Sequence, residues 1–173
     1  MLMKNNIALI GMMGSGKTTV AEELQELCPE YTLVDIDKEI ERSSGKKIPE
    51  LFLKYGEAHF RALESEKIRK YAEKDNQIIA LGGGAFENEL NRNNIKNNCT
   101  VIYLKATAQE IYNRIKNEVH RPLLRKNFSV ERINEIMSNR EKNYKKADMI
   151  FVTDSKSPKE VAIEIAGVLN GKS

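Results

Sequence analysis

Ile7-Ala8-Leu9-Ile10-Gly11-Met12-Met13-Gly14-Ser15-Gly16-Lys17-Thr18-Thr19-Val20 is the stretch that decides the fold. Residues 11–18 fit G-x-x-x-x-G-K-[ST]. An apolar run of strand length precedes them, and Val20, Leu24 and Leu27 follow at helical spacing. Strand, glycine-rich loop and helix together make the context in which this motif binds phosphate. The glycines let the backbone curl so that its N–H groups point inward at phosphate oxygens, and the helix N-terminus adds partial positive charge. Gly14, Ser15, Gly16, Lys17, Thr18 and Thr19 are the expected nucleotide contacts, with Lys17 reaching the β- and γ-phosphates and the Thr18 hydroxyl ligating Mg2+.

Outward from the loop, short apolar runs recur at 33–34, 78–81, 101–104 and 149–152, separated by helical patterns. None alternates cleanly with polar residues, which is how strands buried on both faces read, so the pattern predicts a parallel sheet between helical layers. Helix starts are visible too. Thr107 with Glu110 reads as a capping box, as does Ser157-Pro158 with Glu160, and Ser129 reads as a third cap. Gly167 leaves the end of the last helix open. A length of 173 residues suits one domain spanning 1–173, with insertions at about 37–60 and about 117–128 that occupy the places of a substrate-binding flap and a lid.

The loop motif alone does not separate kinases from GTPases or motor ATPases. The chain has no Asn-Lys pair for guanine reading, and the run at 78–81 ends in Gly82-Gly83-Gly84 rather than in an acid. Acids follow the second run instead, as Asp35 and Asp37. On a continued strand these two would share a face at the carboxyl edge of the sheet, where ligands of open α/β sheets bind. One could then serve Mg2+ and the other orient a substrate hydroxyl, or Asp37 could simply cap a helix beginning at Lys38. The bare backbone at 82–84 permits close approach by a ligand. Arg61, Arg121 and Arg140 are too far apart in sequence for spacing to bring them together, and a single arginine most often sits solvated at the surface. Glu64 stands three residues after Arg61, on the same helical face, and can fix its rotamer.

Composition excludes several classes. A net charge of +3 with dispersed lysines, 6 % aromatics and no recognition motif gives nucleic acid no footing as a partner. The first apolar run is too short for a membrane span or a signal-peptide core, and Cys28 and Cys99 read as reduced thiols, so a cytoplasmic setting is the expectation; separately, a monomer is expected.

Along almost its whole length the sequence resembles a shikimate kinase. The resemblance rests on residues 11–19, on Asp35-x-Asp37, and on Gly45-x-x-Ile48-x-x-x-Phe52. It rests equally on Gly56-Glu57-x-x-Phe60-Arg61-x-x-Glu64, Gly82-Gly83-Gly84, Arg121-Pro122-Leu123-Leu124 and Arg140-x-x-x-Tyr144. It implies a three-layer α/β/α P-loop kinase fold with strand order 2-3-1-4-5, using ATP, Mg2+ and shikimate. It further implies that Asp37, Arg61, Arg140 and the backbone of 82–84 hold shikimate, with Ile48, Phe52, Phe60, Pro122 and Leu123 along the apolar side. Lys17, Asp37 and Arg121 would carry the chemistry, Thr18 and Asp35 the Mg2+, and Arg114 would lie against adenine opposite a segment ending at Pro158. A kinase for another small acid such as gluconate, and a nucleotide-binding regulator without chemistry, are the competing readings.

Overall fold

The structure is a computed structural model and describes residues 4–116 and 129–171. The chain runs β1 (Asn6–Ile10), α1 (Lys17–Leu27), β2 (Thr32–Asp35), α2 (Ile36–Ser44), α3 (Ile48–Ala72) and β3 (Gln77–Ala80). A short 3-10 turn (Ala85–Glu87) leads into α4 (Glu89–Asn98), β4 (Cys99–Lys105), α5 (Ala108–Ile115), α6 (Val130–Tyr144), β5 (Met149–Val152) and α7 (Pro158–Asn170). The five strands form one sheet in the order β2-β3-β1-β4-β5, and every pairing is parallel. Each apolar run of the sequence became one strand.

The failure of those runs to alternate has a direct cause. In β1, Ala8 and Ile10 point to one side, where they join Ile79, Leu81, Val101 and Tyr103 beneath α2, α3 and α4. Ile7 and Leu9 point to the other and pack with Ile78, Ile102 and Leu104 against α1 and α7. Both faces are covered, so both sets of side chains must be apolar. Because all strands are parallel, their carboxyl ends share one edge. Asp35 pairs with Ala80, and Ala80 with Leu9, so the end of β2, the end of β3 and the start of the phosphate loop stand level.

Local signals shaped the helices, with three departures from the sequence reading. At α7 the box is complete: the Ser157 side chain accepts from Glu160 N–H, and the Glu160 carboxylate accepts from Ser157 N–H at 2.7 Å. At α5 only half of it forms. Thr107 caps Glu110 N–H, but Glu110 turns to Arg114, and Asp154 takes its place by accepting from Thr107 N–H at 2.9 Å. The second departure lies at β2. The strand stops at Asp35, which is itself the N-cap of α2 and accepts from Lys38 N–H, so Asp37 sits in the first helical turn rather than on a continued strand, and it is not the cap. Third, most of the stretch 37–60 is helical, and the long helix begins inside it, at Ile48. The stretch comprises α2 and the front of α3, and α3 is broken at Gly56, whose φ of 82° and ψ of 172° leave helical geometry. α7 passes through Gly167 without interruption. The segment 117–128, with its reading as a lid, lies outside the described residues. Among the described residues no helix is long and apolar enough to cross a membrane.

Candidate active site

The phosphate loop is held from both flanks. Ser15 N–H donates to Met12 O at 3.1 Å, and the Lys17 ammonium spans the loop, donating to Gly11 O at 3.0 Å and Met12 O at 2.9 Å. Gly14 has φ of 76°, and a Cβ there would meet Ile115 Cγ2 at 2.8 Å, so both conformation and space require glycine. The Thr18 hydroxyl donates to Asp35 Oδ2 at 2.7 Å. The two expected Mg2+ residues are therefore together, and both offer the hard oxygen donors that Mg2+ prefers. A cleft of about 400 Å³ joins this loop to Asp35, Asp37 and the first two glycines after β3.

Residues 82–84 organise the other wall. A Cβ on Gly82 would lie 3.0 Å from both Asp37 Oδ1 and Glu64 Oε1. One on Gly83 would lie 3.4 Å from Arg140 Nη1, and one on Gly84 would lie 2.8 Å from Arg61 Nη2. The bare backbone thus lets two carboxylates and two guanidiniums, carried by α2, α3 and α6, close on one short segment. Asp37, Arg61 and Arg140, which spacing could not unite, converge here. Phe60 lies in the core beneath, its ring 4.8 Å from that of Phe52, and the Arg61 guanidinium sits 5.2 Å from the Phe60 ring centre. Ile48 and Phe52 pack partly buried against the same cluster.

Charge balance in this wall depends on Glu64, which the sequence reading treated only as a rotamer support. Glu64 is fully buried, and its Oε2 accepts from Arg61 Nη1 at 2.8 Å. Burial raises its carboxyl pKa, Arg61 opposes that rise, Asp37 adds to it and Arg140 opposes it. For Arg61, burial works against the charge, but Glu64 and Glu57 outweigh it and hold the guanidinium above its ordinary value. Glu57 contributes through Oε1, 3.3 Å from both Arg61 Nε and Nη2. The i,i+3 spacing of Arg61 and Glu64 was the available signal. That the acid would be buried followed only from where α3 packs.

A smaller cavity of about 150 Å³ opens on the other side of the loop, lined by Gly16, Thr19, Arg114, Thr153, Lys156 and Pro158. Arg114 is anchored there by donating to Thr153 O at 2.7 Å, Thr153 Oγ1 at 3.1 Å and Gly14 O at 3.3 Å. Arg114 and Pro158, singled out for adenine, do share one recess. Arg121, Pro122 and Leu123 lie outside the described residues.

A parallel sheet of this order, a phosphate loop at the end of its central strand and a charged acceptor wall beside it define a P-loop small-molecule kinase. The shikimate kinase family model matches residues 13–170. The chain belongs to the shikimate kinase family. A shikimate kinase of Persephonella marina is 40 % identical over 162 residues, covering 94 % of this chain and 97 % of the relative. One of Coxiella burnetii is 41 % identical over 163 residues, covering 92 % and 90 %. A solved shikimate kinase from Acinetobacter baumannii in complex with shikimate superposes with a TM-score of 0.92 at 31 % identity, covering 98 % of this chain and 95 % of that one.

Proposed function

We propose that this chain transfers the γ-phosphoryl group of ATP to a hydroxyl of shikimate, giving shikimate 3-phosphate and ADP. One observation carries the reading: the cleft at the phosphate loop is also lined by Asp37, Gly82 and Gly83, and the glycine run that borders it has Arg140 beside Gly83 and Arg61 beside Gly84. Arg61 and Arg140 take the carboxylate, a task suited to planar guanidinium forks. Asp37 accepts from a ring hydroxyl and aims it at the phosphorus. The backbone of 82–84 lets the ring approach closely.

Phosphoryl transfer depends on positioning and charge neutralisation. Lys17 and the loop amides around Gly14, Ser15 and Gly16 neutralise charge developing on the transferred group and the leaving oxygen. Thr18 and Asp35 would hold Mg2+, which when bound would supply further neutralisation of phosphate charge. Arg114 and Pro158 flank the adenine. Arg121 is assigned to the transferred phosphate by its family motif alone. The free, buried Cys28 and Cys99 fit a reducing compartment and support a cytoplasmic setting.

The test is ADP release with Mg-ATP in the presence of shikimate, gluconate or no acceptor. Release that depends on shikimate alone is expected. Release with gluconate instead moves the reading to a kinase of another acid, and ATP binding without acceptor-dependent release to a regulator.

A further inference from the structure

A run of three glycines is the least constrained backbone a chain can offer, so its conformation must be imposed by its partners. Two of its three carbonyls are held by the turn that follows: Gly82 O accepts from Ala85 N–H at 3.0 Å and Gly84 O from Glu87 N–H at 3.1 Å. The middle carbonyl is held differently. Gly83 O accepts from the Tyr144 hydroxyl at 2.5 Å, across a sequence separation of 61 residues. Because the peptide between Gly83 and Gly84 is planar and trans, fixing that oxygen also fixes the direction of the Gly84 N–H, which points the opposite way.

Tyr144 is placed to do this firmly. It is almost fully buried, and its ring packs 4.9 Å from that of Tyr103 on β4. It stands one helical turn after Arg140 on α6, so the two share a face. Burial raises the Tyr144 pKa to about 12, with Arg140 beside the hydroxyl opposing the rise. The hydroxyl therefore stays protonated, and able to donate, at any working pH. One side chain thus meets the central peptide of the glycine run and lies against the guanidinium proposed to read the acid.

We propose that Tyr144 is a positioning residue for the acceptor site, its hydroxyl fixing the central glycine peptide and with it the place of Arg140. In this role it acts through Gly83 and Arg140 rather than on the substrate or phosphate itself. The inference rests on the shikimate-kinase reading. Acid-dependent turnover by the unaltered chain tests that reading separately, so the two can fail independently.

The experiment compares Tyr144→Phe with Ile165→Val, a core substitution in the α1–α7 layer on the opposite face of the sheet. Tyr144→Phe keeps the ring and removes only the donor. The expected result is a rise in KM for shikimate of roughly three- to tenfold, the scale of one lost hydrogen bond, with KM for ATP unchanged. Ile165→Val should lower the melting temperature and leave both KM values alone. Combining Tyr144→Phe with Arg140→Lys should raise KM by less than the product of the separate effects. An unchanged KM for shikimate in Tyr144→Phe, or an equal rise for both substrates, would overturn the proposal. Direct titration of shikimate well below the melting temperature keeps the comparison valid if stability falls.

Discussion

The Thr18 hydroxyl and the Asp35 carboxylate meet at 2.7 Å, joining the head of the phosphate loop to the end of β2. Asp35 does two things at once: Oδ2 accepts from Thr18, while Oδ1 caps α2 through Lys38 N–H at 3.1 Å. The two roles can be separated. Asn caps a helix about as well as Asp but lacks the charge. Asp35→Asn should raise the Mg2+ concentration for half-maximal rate by roughly tenfold or more while stability changes little. Asp35→Ala should in addition lower unfolding free energy by about 1 kcal/mol. Mg2+ titration of the rate, paired with urea unfolding, checks both.

Arg61→Ala removes the cation beside Glu64 as well as a proposed reader of the acid. KM for shikimate should rise roughly ten- to hundredfold, the range for a lost charge-assisted hydrogen bond, with KM for ATP nearly unchanged. Steady-state kinetics with each substrate varied in turn would show this. An equal rise for both substrates would remove Arg61 from the role of carboxylate reader.

Two carboxylates give the stability profile opposite slopes. Glu64 has its folded pKa raised above 4.5, chiefly by burial. Its stabilising contribution is full below that value and is lost as pH rises through the raised folded pKa. Glu39 is the reverse, held at about 2 by hydrogen bonds from Arg42 and Tyr71. Its contribution is present above 4.5 and is lost as pH falls toward 2. Glu64→Gln should flatten the loss of stability on the neutral side of 4.5, and Glu39→Gln should flatten the loss on the acid side. Urea midpoints measured across pH for the three proteins test both signs.

Two glycines should respond to alanine in opposite ways. At Gly167 a Cβ would meet nothing within 4 Å, and the residue lies inside α7. Gly167→Ala should therefore stabilise by about 0.4–1 kcal/mol without altering kinetics. At Gly84 the new methyl would stand 2.8 Å from Arg61 Nη2. Gly84→Ala should displace the guanidinium and raise KM for shikimate. Thermal melts with kinetics on both variants decide the matter.

The scaffold was legible because its signals are local. Each apolar run is one strand, and the loop motif carries its own geometry. Ser129 and Ser157 announced helices through the side chains that cap them. What was not legible depends on partners distant in sequence. Asp154 displaces Glu110 from the α5 cap across 47 residues, which no window around Thr107 could reveal. Asp35 and Asp37 divide at a strand end that pairing with β3 fixes. Arg61 and Arg140 were brought together only by family resemblance, since α3 and α6 bring them to one glycine run from far apart in sequence. Burial of Glu64 was hidden for the same reason: its helical face is polar at Arg61 and buried at Phe60 and Ile68.

On the proposed reading, residues 82–84 leave the acceptor's recognition groups to other elements. Having no side chains, these positions hold no recognition chemistry that a point substitution could exchange; any substitution there intrudes on a neighbour. Retargeting the cleft to a different acid would therefore have to proceed through α2, α3 and α6, changing Asp37, Arg61, Glu64 or Arg140 while the glycines stay. Acceptor choice and loop architecture are in this sense separately variable, and divergence among kinases built on this plan should be sought on the three helices.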